Sequence, residues 1–204
     1  MTTQKMSAAH PYKMSFSTGG LFVNESIAVA RIYVCSRNGT ETIAKALSEG
    51  ATSLPKAASN RRTLREIVNR VSCLTADELG FLIEHADRPE QEALLWLATC
   101  RAYRFVWEFA TEVIGERFLS YRLNLPLEVF DQFFDAKAEW DDGLAKISQT
   151  TKRKLRQIMF RILREAGVID PELNIRPTYI SSRLKSLIIL SDPNDLSVFP
   201  GIRP

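Results

Sequence analysis

Apolar residues recur at three- and four-residue steps along most of the chain, and that period predicts an all-α, mainly helical protein. The cleanest stripe runs through residues 151–166, where Leu155, Ile158, Met159, Ile162, Leu163 and Ala166 fall at i, i+3, i+4, i+7, i+8 and i+11. A long helix is expected over residues 89–120, opened by Pro89 in its first turn, with Trp96, Cys100, Tyr103, Trp107, Ile114 and Phe118 on one side. Residues 21–35 are apolar on most sides, as in a helix surrounded by others, with Ser17 or Thr18 as its cap. Shorter helices are expected over 42–48, 59–72, 126–138, 144–147 and 179–190. Thr75 and Glu78 have the spacing of a capping box that starts a helix ending near residue 86.

Between these segments the punctuation is conventional. Residues 51–58, with Pro55, read as a connector, and Gly167 stops the helix at 151–166. Val168 and Ile169, the turn at Asp170-Pro171, and residues 174–177 read as a brief strand, a turn and a return. Residues 1–11 read as a loose arm, 12–123 as a helical domain, 124–190 as a second domain of winged helix-turn-helix character, and 191–204 as an irregular tail.

The chain has 204 residues, 45% hydrophobic and 25% charged, enough to bury a core without staples. Its three cysteines are far apart in sequence and form no CxxC pair, which suits a reducing, cytoplasmic setting. No secretory signal is visible at the N-terminus. Residues 93–114 are apolar enough to resemble a membrane span but carry Arg101, Arg104, Glu108 and Glu112. Each ion at bilayer depth costs roughly 2.5–3.5 kcal/mol, which excludes that reading.

Little catalytic chemistry is visible. The two histidines, His10 and His85, lack metal-ligand spacing; Gly19-Gly20 lacks the lysine of a phosphate loop; and Asp141-Asp142 has no third ligand at a helical offset. The expectation is no enzyme, no metal, no cofactor and no small-molecule substrate.

Charge changes the picture more. The net charge is only +3, but residues 1–88 hold 11 Lys/Arg against 8 Asp/Glu, 89–150 hold 6 against 11, and 151–204 hold 10 against 5. Lys152, Arg153, Arg156, Gln157, Arg161 and Arg164 surround the helix at 151–166 away from its apolar stripe, with Phe160 among them. Lys152, Arg153 and Lys154 are placed in its first turn, where the helix dipole costs a cation roughly 0.3–1 kcal/mol unless an anion docks there. Those three are therefore candidate phosphate contacts, and Arg156, Gln157 and Arg161 candidate contacts to base edges or backbone. The order of short helix, Ser/Thr turn, basic helix, strand and return is that of a winged helix-turn-helix, with Arg164 beside it and Arg176 on the wing. A second basic helix carries Arg61, Arg62, Arg65 and Arg70 against Glu66 alone and reads as either an auxiliary backbone-binding patch or a solvated face. These features point to double-stranded DNA as the partner.

Four segments in order carry a family resemblance. They are S-T-G-G-L-F-V-N-E-S-I-A at 17–28, the basic helix before Leu74, E-x-L-L-W-L-A-x-C-R-x-Y-R at 92–104, and T-x-R-K-L-R-Q-x-x-F-R-x-L-R-E-A-G at 151–167. Over residues 12–190 the chain resembles the BrxA family of BREX phage-exclusion systems. The resemblance implies a small, helical, non-enzymatic protein that binds double-stranded DNA and works beside a BREX methyltransferase, a large ATPase and other subunits. An alternative role, a scaffold docking acidic surfaces of those subunits, would use the same charges. No DNA-contacting residue is carried over from the family.

Overall fold

A computed structural model describes residues 11–16, 18–50 and 57–202, and of Ala57 and Ala58 only the backbone. Most of the expected arm, the candidate cap Ser17 and the connector around Pro55 lie outside the described residues. The protein is helical, and among the described residues its only β pairing is two isolated bridges, Asn124 with Asn174 and Ile169 with Ile175. The expected strand and return are thus reduced to single pairs around Asp170, whose carboxylate accepts from the Asn174 N–H at 2.8 Å.

Helix α1 (Val23–Ser36) has no side-chain cap. The expected Thr18 cap is replaced by a turn in which Gly19 and Phe22 both take left-handed backbone (φ 65° and 56°). A Cβ at Gly19 would fall inside the Phe22 ring, so this turn requires glycine. α2 (Gly39–Ser48) is capped by Asn38, and α3 (Ala57–Val71) buries the expected stripe Leu64, Ile67, Val68 and Val71. α4 (Ala76–Glu84) begins at the capping box formed by Thr75 and Glu78.

The centre of the molecule is α5 (Arg88–Ala102), which opens with a second capping box, Asp87 with Glu90, and buries every residue from 93 to 100. A helix buried all round is one that others surround. The expected continuation to residue 120 is broken at Tyr103, which is extended (φ −135°, ψ 102°). The break turns its ring towards Phe16, 5.4 Å between centroids, and lets its hydroxyl donate to Glu66 at 2.5 Å. Beyond it come α6 (Arg104–Glu108), a π-helical stretch Phe109–Gly115 and α7 (Glu116–Leu119).

Rings from this segment hold the next. Phe105 meets Phe130, Phe133 and Phe134 of α8 (Leu127–Ala138) at centroid separations of 5.7, 5.2 and 5.8 Å. α9 (Asp142–Ala145) is capped by Asp141, and α10 (Gln149–Glu165) by Ser148. One hydrophobic core therefore crosses the expected domain boundary between residues 123 and 124. After α11 (Ser182–Ser191), the stretch expected as an irregular tail instead forms a 3₁₀ helix, Pro193–Val198. Its apolar residues Leu196, Val198 and Phe199 are buried, and the Val198 carbonyl accepts from the Trp96 indole at 3.0 Å.

Arg101, one of the ionic residues of the apolar segment, ties that tail to the core. Its guanidinium meets Glu78 through two bonds (2.6 and 2.8 Å) and Asp195 through two more (3.0 and 2.5 Å). Burial alone would favour a neutral guanidine, but the bonds to Glu78 and Asp195 outweigh it and raise its pKa. No described helix is long and apolar enough to cross a membrane. Replacing Arg101 with Ala leaves two carboxylates without their cation and is expected to cost about 3–5 kcal/mol. Urea unfolding monitored by circular dichroism checks this, and an unchanged midpoint would show that Arg101 does not hold the tail.

Candidate nucleic-acid interface

The two basic helices divide their cations between internal pairing and solvent. On α3, Arg70 is buried: its Nε donates to Glu66 at 2.7 Å and its Nη1 to the Gly20 carbonyl at 2.9 Å. Glu66 also accepts from Tyr103, whose pKa is pushed up by burial and by the Glu66 charge, so the phenol stays a donor. With Glu66 committed inward, Arg61, Arg62 and Arg65 are exposed and have no carboxylate partner among the described residues.

On α10 the reading of the first turn is corrected. The helix starts at Gln149, two residues before the expected Thr151, so Lys152, Arg153 and Lys154 lie past the first turn, where the dipole has faded. Lys152 is only 5% exposed, and its ammonium meets Asp135 at 2.6 Å and Asp131 at 4.0 Å. Arg156 pairs with Asp131. Both side chains therefore bind α10 to α8, and both charges are already met by carboxylates of the chain. Phe160, expected on the polar face, is buried. Arg153, Lys154 and Gln157 are exposed, and the two cations have no ion pair among the described residues. Arg161 is exposed beside Glu165 (2.7 Å), Arg164 donates to the Phe160 carbonyl at 3.2 Å, and Arg176 lies 3.9 Å from Asp170.

The helices share one groove. A cavity of about 630 Å³ is lined by Arg62 and Thr63 of α3, by Lys154, Gln157 and Arg161 of α10, and by the Thr18-Gly19 turn. A second, of about 390 Å³, continues from Thr18 and Arg62 to Arg65, Lys13 and Asn69. A third, of about 220 Å³, runs from Arg65 to Arg61 and α2. The only carboxylate lining the three is Glu66, already held by Arg70 and Tyr103. Lys152, Arg153, Arg156, Arg164 and Arg176 line none of them.

Glu165 sets the junction. One carboxylate oxygen accepts the Leu21 N–H at 2.5 Å and the other binds Arg161, so the end of α10 clamps the turn before α1 and aims Arg161. A Cβ on Gly20 would come within 2.1 Å of that carboxylate, so glycine permits the approach. Lys13, whose ammonium donates to the Asn69 side-chain amide oxygen at 2.5 Å, joins the groove with no periodic signal to announce it. Among the described residues no three His, Cys, Asp or Glu cluster as metal ligands, and Asp141 serves as a helix cap.

This partition is measurable. Lys152→Ala is expected to lower stability by about 1–2 kcal/mol, because it strips a cation from the α8–α10 contact. Arg153→Ala and Lys154→Ala should fall within about 0.5 kcal/mol of the parent. Urea midpoints compare the three, and equal effects would contradict the division.

The family model for BrxA matches residues 10–191. The BREX protein BrxA of Bacillus cereus (strain H3081.97) is 28% identical over 125 residues, covering 61% of this chain and 62% of that protein. The match thus spans less than two thirds of the relative's length. The crystal structure of an uncharacterized protein from Magnetospirillum magneticum superimposes with a TM-score of 0.77 over 94% of this chain and 100% of that one, at 18% identity. That likeness establishes a shared fold. With the family model spanning nearly all of the sequence, the chain belongs to the BrxA family.

Proposed function

We propose that the protein binds double-stranded DNA as a non-catalytic component of a BREX phage-defence system, in the cytoplasm. The carrying observation is the groove itself: two helices some 90 residues apart in sequence bring Arg62, Lys154 and Arg161 to one concavity, with Arg61, Arg65 and Lys13 in continuation. Cations so close, of which only Arg161 has a carboxylate beside it, repel one another and cost solvation when crowded, and a polyanion removes both costs. Family membership and the Bacillus cereus relative support the BREX assignment, with the methyltransferase and ATPase of such systems as further partners.

In this reading residues 124–190 act as the winged helix-turn-helix-like unit and residues 12–123 supply α3. Gln157 and Arg161 are the α10 side chains that reach base edges, and Arg62, Arg65, Lys154 and Lys13 hold phosphates. Arg153, Arg164 and Arg176 flank the groove and add backbone contacts at its margin. Lys152 and Arg156 position α10 and make no DNA contact.

Affinity supplied by phosphates falls with salt by about 0.9 log unit per log unit for each phosphate neutralised. Fluorescence anisotropy with a labelled duplex across a salt series tests the reading. Arg62→Glu and Lys154→Glu are each expected to raise Kd about tenfold or more and to lower the salt slope by about one, with circular dichroism unchanged. No binding by the parent at low salt would overturn it in favour of docking to acidic surfaces of other BREX subunits.

A further inference from the structure

The middle of the cationic groove differs from its two ends. The recess of about 390 Å³ shares Thr18 and Arg62 with the concavity on one side and Arg65 with the concavity on the other. Apolar side chains line both neighbours, Phe22 and Ile158 in one and Ile43 and Leu47 in the other, but only polar side chains line the recess between them. Arg62, Arg65 and Asn69 stand at i, i+3 and i+7 of α3, so one face of that helix forms a wall. Lys13 reaches the same recess from the segment ahead of α1.

Asn69 brings to it a donor that the fold does not use. An ammonium can only donate, so the edge of the Asn69 amide that Lys13 meets is the oxygen, and the orientation of the amide is fixed. The other edge, Nδ2, is then a buried N–H donor, and it has no acceptor among the described residues. Nor has Nη2 of the buried Arg70, the next residue along α3. Buried donors are nearly always paired, so two left over side by side require a reason. The one carboxylate of the recess does not supply it. One oxygen of Glu66 accepts from Arg70 Nε at 2.7 Å and the other from the Tyr103 hydroxyl at 2.5 Å.

The donors select the ligand. Lys13, Arg62, Arg65 and the Asn69 amide border the recess, with the hydroxyls of Ser15 and Thr18 beside them. A carboxylate has two oxygens in one plane and a single charge, too few to engage donors converging from both walls. A phosphate group presents three or four oxygens in a tetrahedron and suits them. We propose that this recess is a discrete phosphate site: Asn69 Nδ2 donates to one phosphate oxygen, Lys13 holds the amide in that orientation, and Arg62, Arg65 and Lys13 balance the charge. Where the phosphate belongs to a DNA strand, the inference rests on the function proposed above. A free or terminal phosphate meets the same donors without it.

Proton–nitrogen correlation spectra of the full, isotope-labelled chain test the site without DNA. At fixed ionic strength, inorganic phosphate is expected to shift the Asn69 side-chain amide pair saturably, and acetate is not. Asn69→Asp keeps an acceptor for Lys13 but replaces the donor with a second acceptor. It is expected to weaken phosphate binding about tenfold or more while the thermal midpoint holds. Phosphate and acetate acting alike would overturn the site in favour of a carboxylate-bearing partner, and an Asn69→Asp chain that binds phosphate as the parent does would overturn it outright. Anisotropy with a duplex across a salt series then assigns the source. Asn69→Ala is expected to raise Kd about fivefold with the salt slope unchanged, because a neutral donor releases no counterion. Phosphate binding at Asn69 without that loss upholds the site and gives it to free or terminal phosphate. Duplex binding with no phosphate response at Asn69 overturns the site and leaves the DNA reading intact.

Discussion

Asp131 and Asp135 of α8 receive Lys152 and Arg156 of α10, and the rest of the surface chemistry depends on that exchange. A lysine only 5% exposed is stable as an ion when a carboxylate and neighbouring polarizable groups replace its water, and Asp135 and the Phe134 ring, 5.2 Å away, supply both. The pairing seats α10 on α8 in one rotational setting. Lys154, Gln157 and Arg161 are then carried to the far side, towards α1 and α3.

The same logic operates at the other wall of the groove. Glu66 would neutralise the arginines of α3 if it faced outward, but Arg70 and Tyr103 hold it inside. Glu165 faces the Thr18–Leu21 turn and is divided between a backbone N–H and Arg161. Internal carboxylates thus neutralise those cations whose work is structural and leave Arg61, Arg62, Arg65 and Lys154 without an ion pair among the described residues, with Arg161 held beside Glu165. The electrostatic character of the groove arises from this sorting and not from the net charge of +3, which is small for 204 residues.

Much of the helical framework is legible in the sequence because side-chain periodicity is local. The stripes of α3 and α10, the inward Phe130, Phe133 and Phe134, and the capping box at Thr75 are all present where spacing predicts them. The failures share one cause, which is a partner distant along the chain. The helical period continues through Tyr103, and only Glu66, 37 residues earlier, reveals why the backbone opens there. Phe160 is assigned to the polar face by angle alone, yet the packing buries it. The last residues look irregular because their order comes from Trp96 and Arg101. At the groove, the charges on α3 and α10 are readable, but their shared face is not, nor is the withdrawal of Lys152 and Arg156 into ion pairs.

The central claim is that α3 and α10 act as one polyanion-binding surface, and amide hydrogen exchange with and without a duplex tests it most directly. The account predicts slowed exchange together at the turn before α1, along the first half of α3 and along the exposed face of α10. Protection confined to one of the two helices, or absent from both at low salt, would contradict it.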